Sequence, residues 1–138
     1  MSRPAVETRQ YLAAGTLVAA ISTAGSLYFS RGMGLTPCDL CWYQRIFMYP
    51  LVVILVIGAY QRNDSLAPIV LSLSVPGALL AAYHSYIQYA TGGVGSCTVG
   101  GGCTAVQYEL LGLSIPNMAL LGFLLITGFT IVSTLSSR

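Results

Sequence analysis

The chain has 138 residues, of which 55% are hydrophobic and only 7% charged, whereas a soluble domain carries about 25% charged residues. Water is therefore not its main solvent. A formal net charge of +2 with no lysine at all also excludes a nucleic-acid reader, which needs clustered cations to meet phosphates. The charged side chains are Arg3, Glu7, Arg9, Arg31, Asp39, Arg45, Arg62, Asp64, Glu109 and Arg138. Four of the intervals between them, residues 10–30, 46–61, 65–108 and 110–137, approach or exceed the roughly 20 apolar residues that a helix needs to cross a bilayer core.

The first expected span covers about residues 11–29, between Arg9 and Arg31, with Tyr28 and Phe29 where an interfacial aromatic belt would sit. Its apolar run is longer than the 7 to 15 residues of a cleavable signal, so it reads as a retained helix. The second span, about 42–60, runs into the polar turn Gln61-Arg62-Asn63-Asp64-Ser65, and so short a turn makes spans two and three an antiparallel hairpin. Span three, about 66–88, ends in Tyr83, Tyr86 and Tyr89 at helical spacing. Residues 92–102, GGVGSCTVGGG, hold six glycines in eleven positions. That composition disfavours both helix and strand and predicts a mobile loop. The fourth span, about 113–135, has Pro116 near its start, where a missing backbone donor does least harm; Pro50 and Pro76 lie deeper and are expected to kink their helices. The chain is thus read as all-α, an integral membrane four-transmembrane-helix bundle forming a single domain over 1–138. Arg3, Arg9, Arg62 and Arg138 fall on one side of it, Arg31 and Arg45 on the other, which puts both termini in the cytoplasm and the two cysteine-bearing loops outside.

All four cysteines, Cys38, Cys41, Cys97 and Cys103, belong to those two outer loops, a distribution that fits an oxidising compartment. Cys38 and Cys41 form a Cys-X-X-Cys unit and only five residues separate Cys97 from Cys103, so local pairing within each loop is the expected resting state. Three chemistries can use such residues. Two structural disulfides could clamp the loops of a non-enzymatic four-span scaffold, although short rings remove little chain entropy. Four thiolates could hold zinc, although structural zinc sites commonly have two tight knuckles. The pairs could also exchange disulfides.

Exchange has a physical warrant in the position of Cys41. The apolar run begins at Trp42, so Cys41 stands at or near the N-terminus of span two, where unpaired backbone donors and the helix dipole favour a sulfur anion. Arg45 follows one turn later on the same helical face, about 6 Å along the axis; a snorkelling interfacial anchor is its bland alternative. His84, the one histidine, lies about 8 Å below the outer end of span three by helical rise, at nearly the depth of Arg45. The two polar side chains, surrounded by Tyr43, Tyr83, Tyr86 and apolar residues, could hydrogen-bond the carbonyls of a membrane-soluble ring, which describes a quinone-head pocket. A histidine that donates to a neighbouring helix for packing is the alternative.

The run Pro37-Cys38-Asp39-Leu40-Cys41-Trp42-Tyr43-Gln44-Arg45, followed by His84, the pair Cys97 and Cys103, and Gln107-Tyr108-Glu109-Leu110-Leu111-Gly112-Leu113-Ser114-Ile115-Pro116, resembles the DsbB family of disulfide-generating membrane proteins over nearly the whole chain. The second loop, with only five residues between Cys97 and Cys103, resembles that of the compact BdbC branch. The resemblance implies a prokaryotic cell-membrane enzyme, a thiol:quinone oxidoreductase. A reduced, DsbA-like thioredoxin-fold protein on the outer side would attack the Cys97–Cys103 disulfide at Cys97, and Cys103 would then open the Cys38–Cys41 bridge. Cys41 would face a bound ubiquinone or menaquinone beside Arg45 and His84. Gln44 departs from relatives that carry an acid there, which puts a proton-handling role at that position in doubt, and Asp39 and Glu109 read as solvating acids. No metal is implied.

Overall fold

The computed structural model describes residues 2–34, 39–61, 64–90 and 109–136. Cys38, Cys97, Cys103 and the glycine-rich segment, and with them the cysteine loops and the pairing expected there, lie outside the described residues. Four helices dominate: α1 (Ser2–Leu27), prolonged by a π-helical turn (Tyr28–Gly32), α2 (Asp39–Gln61), α3 (Ala67–Ala90) and α4 (Ile115–Ser136). A 3-10 turn, Asp64–Leu66, leads into α3. Each helix is long and apolar enough to cross a membrane, over Arg9–Gly32, Leu40–Gln61, Ala67–Ala90 and Ile115–Ser136. The protein is an integral membrane four-helix bundle.

The helices stand in a square in chain order. α1 packs on α2 and α4, α3 packs on α2 and α4, and the diagonal pairs scarcely meet. The bundle is inside-out relative to a soluble one. Leu17, Ile21, Val53, Leu79, Leu121, Leu124 and Leu135 face outward, whereas Gln44, Ser74, His84, Gln88, Thr130 and Ser133 are buried beside the core residues Leu51, Leu55, Val70, Ala81, Phe123 and Ile126. Apolar side chains gain nothing by leaving lipid, so association rests on close packing and interhelical hydrogen bonds. Both are present. The Thr127 and Ser74 hydroxyls meet at 2.9 Å across α3 and α4. At Gly77 the two helices come so close that a Cβ would stand 2.4 Å from a ring carbon of Phe123, itself fully buried.

Pro50 and Pro76 sit inside α2 and α3, which run on through both. Pro116 is the second residue of α4, where its ring stands in for one of the unpaired donors of a first turn. Ahead of it is an element that composition does not announce, a two-stranded antiparallel hairpin pairing Glu109 with Ser114 and Leu110 with Leu113. Its two-residue turn is Leu111-Gly112 with φ of 56° and 80°, the positive pair that a type I′ turn requires. Glu109 therefore belongs to a strand that precedes α4.

Gly77→Val should overpack the α3–α4 seam and cost about 1–3 kcal/mol, read as a lower unfolding midpoint in detergent. Phe123→Leu added to it should restore part of the loss. An unchanged midpoint for Gly77→Val would contradict the packing described here.

Candidate functional site

A cavity of about 330 Å³ opens between α1, α2 and α4 at the end of the bundle where α2 begins, within the size range of small-molecule sites. Three stripes of helical period line it. Ser22, Ser26 and Ser30 come from α1 and its π turn, Cys41, Arg45 and Tyr49 from α2, and Ile115, Ala119 and Phe123 from α4, each set spaced by four residues so that it occupies one face. Gln44, Met48, Phe29 and Met118 complete most of the wall. Apart from the few groups on α1 and α2 that follow, the lining is apolar.

Arg45 is the charged centre. A guanidinium within a spanning helix is costly unless it is paired, and here α1 meets that of Arg45 with acceptors. Nε donates to the Ser26 hydroxyl at 2.7 Å, and Nη2 donates to the Ser26 carbonyl at 2.9 Å and to the Ser30 hydroxyl. The π turn begins two residues beyond Ser26 and is closed by Met33 N–H on the Tyr28 carbonyl at 3.1 Å. Such turns interrupt regular helix pairing and recur at functional sites. The Trp42 ring lies 5.2 Å from the Arg45 guanidinium carbon, in cation–π range. Guanidinium carries five N–H donors; Nε and Nη2 spend three, and Nη1 makes no hydrogen bond among the described residues. Arg45 is thus bound between helices rather than extended along lipid as an interfacial anchor.

Cys41 is half-buried in the first turn of α2 and lines the cavity one turn from Arg45. Tyr49 lines it one turn deeper, and its hydroxyl is buried with no hydrogen-bond partner among the described residues.

His84 takes a different place from the one expected. Its ring is fully buried on α3 and is not part of the cavity wall. The Gln44 amide nitrogen donates to its Nδ1 at 3.0 Å. Gln44 and Arg45 are sequence neighbours and diverge by about 100° around α2, so Arg45 turns to α1 while Gln44 faces α3. The layer of depth is shared, and His84 meets the cavity wall at Gln44. Tyr43, Tyr83 and Tyr86, expected around the ring, point outward and are more than half exposed; they suit the aromatic belt of a membrane interface. Ser26, Ser30 and Tyr49 are the site residues that sequence reasoning misses. Their signal lies in the i, i+4, i+8 repeats of Ser22-Ser26-Ser30 and Cys41-Arg45-Tyr49.

Among known proteins, residues 8–133 match the family model described as disulfide bond formation protein DsbB. The chain belongs to the DsbB family. It is 40% identical over 122 residues to disulfide bond formation protein C of Bacillus subtilis (strain 168), covering 86% of this chain and 88% of the relative. It is 38% identical over 120 residues to probable disulfide formation protein C 2 of Bacillus cereus (strain ATCC 10987 / NRS 248), 86% of each chain. Probable disulfide formation protein C 1 of Bacillus anthracis is 41% identical over 109 residues, 77% of this chain and 78% of the relative. These are the short, BdbC-like relatives. No solved structure matches.

Gln44→Leu should leave the buried His84 Nδ1 without its donor and cost about 1–3 kcal/mol. Combining it with His84→Phe should recover much of that loss in a double-mutant cycle followed by thermal unfolding. Strictly additive losses would show that the two side chains are not coupled.

Proposed function

We propose that this protein is a thiol:quinone oxidoreductase that makes disulfides by reoxidising a DsbA-like thioredoxin-fold protein on the outer side of the cell membrane, with both termini in the cytoplasm. Its relatives are named for disulfide formation, and that coarser activity, exerted on a thiol–disulfide partner from within a membrane, is the firm part of the assignment. The observation that carries the rest is one cavity lined by both Cys41 and Arg45.

A quinone head group fits the residues there. The walls are apolar and of small-molecule size, the cavity is set among membrane-spanning helices, and Arg45 Nη1, one turn from Cys41, has two N–H groups unspent among the described residues. Arg45 would hold a ring carbonyl, and Gln44, fixed by His84, would keep its own amide in the wall. When bound, ubiquinone or menaquinone supplies the oxidising equivalent, accepting two electrons and two protons.

The protein's own sulfurs carry the exchange. A thiolate of the reduced partner attacks Cys97 in the Cys97–Cys103 disulfide, forming a mixed disulfide and releasing Cys103. The partner's second thiol resolves that bond, so the partner leaves oxidised and two electrons remain on Cys97 and Cys103. Cys103 as thiolate attacks Cys38 and displaces Cys41. Cys97 then closes on Cys103, which leaves Cys38 and Cys41 as the reduced pair. Each step exchanges one S–S bond for another through thiolate attack. The first helical turn of α2 and the neighbouring guanidinium favour Cys41 as the leaving anion.

Purified protein given a short-chain quinone and a reduced thioredoxin-fold partner should reduce the quinone with matching loss of partner thiols. Cys41→Ser should abolish turnover, and Arg45→Met should lower it at least tenfold. Quinone reduction that survives Cys41→Ser would refute the electron path. A four-span scaffold held by two disulfides would show no thiol-dependent turnover.

A further inference from the structure

Arg45 reaches one edge of a ring in this cavity, while a para-quinone presents carbonyl oxygens at two. A second hydrogen-bond donor must be a polar group of the wall that is not already spent. Ser30 gives its O–H to the Ser26 carbonyl at 3.2 Å, and the Ser26 hydroxyl, which keeps its proton while accepting from Arg45 Nε, stands at the same edge of the ring as Arg45 itself. The Gln44 amide gives one N–H to His84 and, as the residue before Arg45, shares its depth. Deeper in the wall stand the Ser22 and Tyr49 hydroxyls, and of these the Tyr49 hydroxyl is the one buried with no partner among the described residues. A buried hydroxyl left unpaired costs about 1–3 kcal/mol, and buried tyrosine hydroxyls ordinarily find a partner. A phenylalanine would fill the same space without that cost. Tyr49 stands one helical turn below Arg45 on the same face, about 6 Å along the axis, so the two side chains line the cavity from different depths.

We propose that the Tyr49 hydroxyl donates a hydrogen bond to the quinone carbonyl farther from Cys41, while Arg45 Nη1 holds the nearer one. Tyr49 is then the residue that sets how deep the ring sits and which edge it turns toward the sulfur. The assignment rests on the quinone function proposed above and adds to it a residue with no thiol chemistry of its own.

Tyr49→Phe tests it in the full-length oxidised protein, with binding rather than turnover as the readout. Trp42, the one tryptophan in the chain, stacks beside Arg45, and quenching of its fluorescence by short-chain ubiquinone or menaquinone reports affinity. Infrared spectra of the same quinones carrying one 13C-labelled carbonyl report which oxygen is hydrogen-bonded. Tyr49→Phe should weaken binding about 3- to 10-fold, the scale of one hydrogen bond, and return one labelled carbonyl stretch to its unbonded frequency while the other stays shifted. Without quinone, the variant should unfold at the same temperature as the native protein or higher, because an unpaired hydroxyl has been removed. Unchanged affinity and carbonyl frequencies in Tyr49→Phe, with the native protein binding quinone and Arg45→Met not, would overturn the role of Tyr49 and leave the proposed function standing. A lower unfolding temperature without quinone would also overturn it, by showing that the hydroxyl has a structural partner. If the native protein binds neither quinone, both this assignment and the function beneath it fail.

Discussion

A guanidinium inside an apolar bundle needs acceptors, and the way Arg45 obtains them organises this end of the protein. Its Nε and Nη2 groups are satisfied by Ser26 and Ser30 of α1, so α1 and α2 are tied together at the depth where α4 brings Ile115, Met118 and Ala119 to the same space. Among the described residues, the geometry leaves a cavity whose one charged group is held but not exhausted. Unpaired, the same charge would be a cost with no return; with every donor spent, it would be only a staple. Partial satisfaction is what the proposed quinone site next to Cys41 depends on.

The remainder of the bundle supports that arrangement by packing rather than by hydrophobic burial. Small residues let helices approach where the cavity ends: a Cβ on Gly122 would come within 2.8 Å of the Ser22 hydroxyl, and one on Gly77 would enter the Phe123 ring. Phe123 thus fills the α3–α4 seam with one part of its ring and walls the cavity with another. Polar side chains otherwise turn inward, where hydrogen bonds replace water. The Gln44–His84 pair belongs to this inner scaffold and holds α2 against α3 on the side away from α1.

Much of this is legible in the amino-acid sequence. Four long intervals between ten charges give four helices, because spanning a bilayer leaves a chain few other options. The pairing of Cys41 with Arg45 follows from a four-residue step at a helix start. What the sequence conceals is direction around the helix axis across separate helices. His84 and Arg45 share a depth, yet one residue's difference between Gln44 and Arg45 sends them to opposite neighbours. Tyr43, Tyr83 and Tyr86 carry no periodic cue that separates an inward from an outward face, and they turn outward. The hairpin before α4 is hidden because Leu111 occupies a left-handed position that sequence patterns reserve for glycine or asparagine. The serine stripe of α1 is visible as a repeat, but only a partner arginine on α2 gives it meaning.

The central claim is that a quinone ring occupies the space between α1, α2 and α4 beside Cys41. Photo-crosslinking with a short-chain azidoquinone, followed by peptide mapping, addresses it directly. The account predicts adducts within residues 21–30, 41–49 and 115–123 that untagged quinone competes away. Labelling confined to α3, or spread over the lipid-facing side chains without competition, would contradict it.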